Sequence, residues 1–150
     1  MEIQDIALWG LAIALIIHTI DEAWLSEVLG AQADWRSLVL NPAPLLENFP
    51  IFVFAIAFPL VGWRLPLWTG ILPAVGLTHP LLDHLGLSWK TRSVRPGSWT
   101  GLLLLLPLSI WVYGLGYTYG LFQPYEVIIS GAIGLGISVW LFWTVDRNLP

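Results

Sequence analysis

His18, Asp21 and Glu22 stand at offsets of three and four residues, a spacing that puts them on one face of a helix. Imidazole and carboxylate are the side chains that move protons near neutral pH and that ligate zinc or iron. A second polar group, Thr78-His79-Pro80-Leu81-Leu82-Asp83-His84, lies downstream. Both groups interrupt long apolar runs. An ionisable residue at the centre of a membrane helix costs about 2.5–3.5 kcal/mol even on a lenient scale, so such residues are read as functional by default. The two groups are expected to meet and form one site.

The elements that must position them follow from composition. Of the 150 residues 57% are hydrophobic, only 11% are charged, and ten are Trp, which is the make-up of a polytopic membrane protein. The net charge of −4 argues against a nucleic-acid partner. With no cysteine there is neither a disulfide framework nor thiolate chemistry. Glu2 and Asp5 replace a basic leader region, so the first apolar run is read as a retained span rather than a signal peptide. No linker or repeat divides the chain, and residues 1–150 are read as a single integral membrane domain.

The predicted fold class is all-α, a transmembrane bundle of five spans: Ile6 to Leu25, Asn48 to Trp63, Leu65 to Leu87, Ser98 to Tyr117 and Glu126 to Thr144. Pro50 opens the second span in its first turn, and Pro107 predicts a kink in the fourth. Arg36, Lys90, Arg92, Arg95 and Arg147 fall on one side and only Arg64 on the other, which predicts an outside N-terminus and a cytoplasmic C-terminus. Trp9, Trp63, Trp68, Tyr117, Tyr119 and Tyr125 would form an outer aromatic belt; Trp24, Trp35, Trp89, Trp99 and Trp143 an inner one. The host membrane is read as the bacterial cytoplasmic membrane. Small residues at Gly116/Gly120, Ser130/Gly134 and Ala132/Gly136 predict close helix packing, with spans four and five serving as walls.

This topology sets His18, Asp21 and Glu22 at the same depth as His79, Asp83 and His84, with Glu47 and Asn48 at the start of span two. His79 and Asp83 are four apart and predict a hydrogen bond within the helix. His84 is rotated by about 140° from His79 on an α-helix, so one of the two histidines is expected to be structural unless Pro80 distorts the chain. His84 is the one assigned to the site. The catalytic candidates are His18, Asp21, Glu22 and His84; Trp24, Glu47, Asn48, His79 and Asp83 are assigned to substrate contacts. Glu126 is read as a helix-start residue.

His18-Thr19-Ile20-Asp21-Glu22 resembles the signature of the HXXEE family of small integral membrane proteins, with Asp21 in place of the first glutamate. The family's further histidine corresponds to His84. Its tyrosine-x-proline-glycine motif corresponds to Val94-Arg95-Pro96-Gly97, Val94 standing where the family has tyrosine. The resemblance covers roughly Leu8 to Leu108 and supports the site residues rather than an activity. The spacing of His18, Glu22 and Trp24 is also similar to that of sterol isomerases related to emopamil-binding protein, which implies protonation chemistry on an alkene.

Three functions compete. In the leading one, a cofactor-free membrane enzyme of the isomerase or cyclase kind acts on an isoprenoid or sterol-like lipid. Glu22 or Asp21 protonates the substrate, His18 or His84 returns the proton, and Trp24 stabilises a carbocation through its ring face. In the second, His18, Glu22 and His84, with Asp21 or Glu47, hold zinc or non-haem iron in a hydrolase or oxygenase. In the third, the same residues serve a lipid-binding or transport protein without turnover. Membrane lipid and an apolar small molecule are the expected partners throughout.

Overall fold

The computed structural model describes residues 1–25 and 43–147, with Trp24, Leu25, Pro44 and Leu45 described by their backbone alone. Trp35 and Arg36, read above as markers of the first connection, lie outside the described residues, as does the Trp24 side chain.

Every regular element among the described residues is helical. Helix α1 (Ile3–Ile20) runs on as a π-helical turn, Asp21–Leu25. A short helical turn at Ala43–Glu47 precedes α2 (Phe49–Val61), which closes in the 3-10 turn Gly62–Arg64. Helix α3 (Pro66–His79) continues as a π-helix, Pro80–Gly86, and then as α-helix over Leu87–Thr91. Ser98–Thr100 and a third π-helical segment, Gly101–Leu105, lead into α4 (Leu106–Thr118), and α5 (Pro124–Asp146) follows. Five long helical stretches therefore match the five predicted spans. Three of them, Ile3–Ala23, Ser98–Thr118 and Pro124–Asp146, are long and apolar enough to cross a bilayer; Phe49–Arg64 is apolar but shorter.

The helix starts follow from local chemistry. Pro stands in the first turn of α2, α3 and α5, where its missing N–H breaks no bond. Glu126 accepts the backbone N–H of Gln123 at 2.7 Å, so its role is the helix start. Pro107 follows the π-helical segment Gly101–Leu105, whose wider turn accommodates the lost N–H donor and the proline ring.

Ala7, Leu11, Ala14 and His18 recur every three or four residues along α1, and all are buried. His18 thus continues the core stripe of its helix. The core unites this stripe with Phe58 of α2, Ile71 and Leu72 of α3, Leu105, and Val112 of α4. Trp63 and Trp68, read as part of the outer belt, also pack against this core, Trp63 edge to face with Phe122 and Trp68 beside Phe58, with ring centroids 5.2 and 5.0 Å apart.

Helix α3 is the central element, and its most extensive contact is with α5. The close approach needs small residues. A Cβ at Gly134 would collide with Ala74, and one at Gly70 would lie 2.5 Å from the Ser130 hydroxyl. The Thr78 and Ser138 hydroxyls bond at 2.7 Å across the same seam. Gly136 meets nothing within 4 Å, and Gly120 adopts a positive φ of 62° in the turn after α4. The expected small-residue packing therefore holds for Ser130 and Gly134 but not for Gly120 or Gly136.

Gly134→Leu should destabilise the bundle by about 1–3 kcal/mol, as overpacking does, while Gly136→Leu should leave it unchanged. Thermal unfolding of both variants in one detergent checks this; equal midpoints would refute the assigned seam.

Candidate functional site

The three histidines of the chain come together, and Glu22 joins them. The ring centroids of His18, His79 and His84 lie 4.8–5.4 Å apart, and each pair meets edge to face. His18 Nε2 and His84 Nε2 are 3.2 Å apart. Glu22 Oε2 lies 3.4 Å from His18 Nε2, 3.7 Å from His79 Nε2 and 4.0 Å from His84 Nε2. One donor atom from each of the four residues falls within 4.8 Å of every other.

Local backbone geometry makes this convergence. On an α-helix His79 and His84 would point apart, and both were expected to face the site only if Pro80 distorted the helix. Pro80 cannot donate to the α-helical ladder, and the chain from Pro80 to Gly86 is π-helical. A π-turn holds one more residue than an α-turn, so residues five apart stack one above the other. Both histidines therefore join the group. His84 is wholly buried behind it, and His79 lines the adjoining cavity.

Asp21 and Glu22 divide their labour. The Thr100 hydroxyl donates to Asp21 Oδ2 at 2.7 Å and lies 3.0 Å from His18 Nδ1. The Gly97 carbonyl competes for that single hydroxyl proton at 3.1 Å, but the carboxylate is nearer and charged. Thr100 can then only accept from His18 Nδ1–H. His18 carries its proton on Nδ1 and turns a bare Nε2 toward the other rings. Asp21 thus acts on His18 through Thr100 and does not line the cavity, contrary to its assignment as a direct proton donor.

The turn at Pro96-Gly97 completes the site. Gly97 has φ 75°, and a Cβ there would stand 3.0 Å from Glu22 Cβ, His18 Cε1 and His84 Cε1. Gly101 is nearly as close, 3.1 Å from His84 Cδ2. Spans four and five were read as walls, yet the start of the fourth supplies Thr100 and these two glycines. The proline-glycine pair was the signal in the sequence; Thr100 had none.

A cavity of about 570 Å³ opens beside the group. His18, Thr19, Glu22, Asn48, His79 and Asp83 form its polar end, and the remaining wall is mainly aliphatic and aromatic from α1, α2, α3 and α5. Asp83 is 1% exposed, and the predicted Asp83–His79 hydrogen bond is absent: Asp83 Oδ1 and His79 Nδ1 have no partner among the described residues. Glu47 is exposed and does not line the cavity, because it ends the short turn before α2; its assignment to substrate contact is not met.

Fold and site define a small membrane protein, helical throughout its described residues, with three buried histidines gathered on a half-buried glutamate. The chain belongs to the HXXEE family: residues 9–112 match the model described as protein of unknown function with HXXEE motif. No curated protein and no solved structure matches it.

Gly97→Ala should destabilise the protein by about 1–2 kcal/mol from the left-handed backbone alone, with added crowding on three site residues. Val94→Ala, at a 68% exposed position, should do nothing. Chemical unfolding of the pair decides it, and a Gly97→Ala protein as stable as the parent would remove the turn from the site.

Proposed function

We propose that this protein is a membrane-embedded metalloenzyme of the zinc or non-haem iron class, acting on an apolar substrate held in the adjoining cavity. One observation carries the reading: three imidazoles and a carboxylate bring their donor atoms within 4.8 Å of one another. Metal–ligand bonds of about 2.0–2.2 Å at tetrahedral angles put neighbouring donors roughly 3.3–3.6 Å apart. The separations of 3.2, 3.4, 3.7 and 4.0 Å lie near that shell, and the group as a whole, within 4.8 Å, would have to contract by up to about an ångström to reach it. His18, His79, His84 and Glu22 would hold the ion. The Asp21–Thr100 pair is the outer-sphere support that orients a ligating histidine and fixes its tautomer. With a further position open beyond these four ligands, as in a five-coordinate zinc or six-coordinate iron centre, the ion would act as a Lewis acid or activate water or oxygen beside the cavity.

A second reading uses the same residues without a metal. Glu22 and His79 both line the cavity, so Glu22 could serve as acid toward a double bond, with His18 or His84 returning the proton. Three nitrogens within 4.0 Å of the same Glu22 oxygen leave a carbon little room to approach it. The geometry therefore favours the metal over the cofactor-free isomerase.

The same proposal places the chain in a bacterial cytoplasmic membrane as one domain of five spans, N-terminus outside and C-terminus inside. The apolar helices and the distribution of basic residues support it. Reporter fusions at Arg92 and after Arg147 should both read cytoplasm; an outside signal at either would overturn the orientation.

Purified protein should carry close to one zinc or iron per chain by elemental analysis. His18→Ala, His79→Ala and His84→Ala should each strip it. Thr100→Val should weaken metal binding by about 10–100-fold while Thr100→Ser retains it, as expected for an outer-sphere partner. A metal-free wild type with Glu22→Gln inactive would favour the acid–base reading. Tight lipid binding without turnover or metal would leave a lipid-binding protein.

A further inference from the structure

The cavity is built unevenly around its circumference. Helix α2 packs on α1 and α3, and α5 packs chiefly on α3 and the Pro80–Gly86 segment. Both α2 and α5 nevertheless supply cavity wall: Ile51, Phe54 and Phe58 from one, Ile133, Ile137 and Leu141 from the other. Among the described residues α2 and α5 make no extensive contact with each other. Phe54, Ile133 and Ile137 line the cavity and remain 49%, 40% and 37% exposed. Among the described residues the cavity is therefore open between α2 and α5, along apolar side chains.

Its dimensions restrict the occupant. Along α3 the wall runs from Trp68 to Asp83, about 22 Å at 1.5 Å per residue, so the 570 Å³ averages roughly 25 Å² in section. A space of that length and volume admits an extended hydrocarbon chain. Polarity is confined to one end, where Glu22, His79, Asp83, Asn48 and Thr19 gather; Phe58, Trp68 and Ile71 stand at the other. A group that can hydrogen-bond has partners only at the first end, and a methylene chain is matched by the rest.

We propose that the substrate is a single-chain amphiphile dissolved in the bilayer. It enters between α2 and α5 and lies with its polar end at the histidine–glutamate group and its tail toward Trp68. This deepens the metalloenzyme reading by naming its substrate class, but it stands on the cavity and the seam and does not need the ion.

The test uses the full chain in lipid nanodiscs and long-chain fatty alcohols carrying a diazirine, either near the hydroxyl or at the chain end. Photolabelling mapped by mass spectrometry should be saturable and competed by unlabelled alcohol. The chain-end probe should mark Trp68 to Leu72, and the hydroxyl-proximal probe Val75 to His79. Ile137→Trp and Phe54→Trp, on opposite rims, should each lower interior labelling about tenfold by filling the entrance. Ile110→Trp, on an exposed position of α4 away from the cavity, should not.

Labelling confined to outward-facing residues would overturn the proposal. So would equal interior labelling by a diacyl phosphatidylcholine with the same diazirine, a reversed map, or rim variants that label like the parent. Metal content measured on the same samples separates the two readings. Saturable labelling of a metal-free protein would remove the metalloenzyme and keep the amphiphile site; a metal-loaded protein that never labels would do the reverse.

Discussion

A carboxylate and three imidazoles inside an apolar bundle are the constraint that the rest of the structure answers. Even after relaxation, a buried ion costs several kcal/mol unless its lone pairs and protons find partners. Glu22 is met by three ring nitrogens within 4.0 Å, and His18 is gripped at both of its nitrogens. No single helix could supply these partners. Glu22 and His18 come from the end of α1, His79 and His84 from α3 and its continuation, and Thr100 from the approach to α4. Polar pairing therefore fixes the relative register of three segments at one level.

Backbone irregularity is how the chain reaches that register. All three π-helical segments among the described residues, Asp21–Leu25, Pro80–Gly86 and Gly101–Leu105, bear residues of the site or residues that touch it. A π-segment changes which side chains share a face at the cost of poorer hydrogen-bond geometry, which is why such segments concentrate at functional positions. The glycines complete the adjustment. A Cβ at Gly97 or Gly101 would stand 3.0–3.3 Å from imidazole carbons, so a side chain at either position would crowd the rings.

How much of this was legible follows from the same physics. His18, Glu22, His79 and His84 stood out because polar groups in apolar runs violate the membrane's own rule, and no other signal was needed. Their partition was not legible. The 140° angle between His79 and His84 holds only on an α-helix, and nothing in α-helical periodicity announces a π-turn. Asp21 was taken for an acid because carboxylates at i and i+1 look equivalent until a partner from another segment claims one. That partner, Thr100, is an ordinary residue at a helix start. The ring packing of Trp63 and Trp68 was not legible for a related reason: it depends on neighbours, Phe122 and Phe58, that the sequence does not show.

The Nδ1 atoms decide how strongly the group prefers a cation. For a neutral imidazole to offer Nε2, its proton must sit on Nδ1. Thr100 meets that demand for His18, whereas His79 Nδ1 and His84 Nδ1 have no partner among the described residues. Two buried donors left unsatisfied cost about 1–3 kcal/mol each. A tetrahedral zinc site returns on the order of 10 kcal/mol or more in apparent binding free energy at neutral pH. The gain exceeds the penalty, so the unpaired Nδ1 atoms weaken a metal centre without forbidding one. Without the cation the balance runs the other way: His84 Nε2 must keep its proton to bridge to the bare Nε2 of His18, and Glu22 is the carboxylate that the three rings share. The Asp21–Thr100 pair is what makes these two states distinct, because it removes from His18 the freedom to change which nitrogen carries its proton.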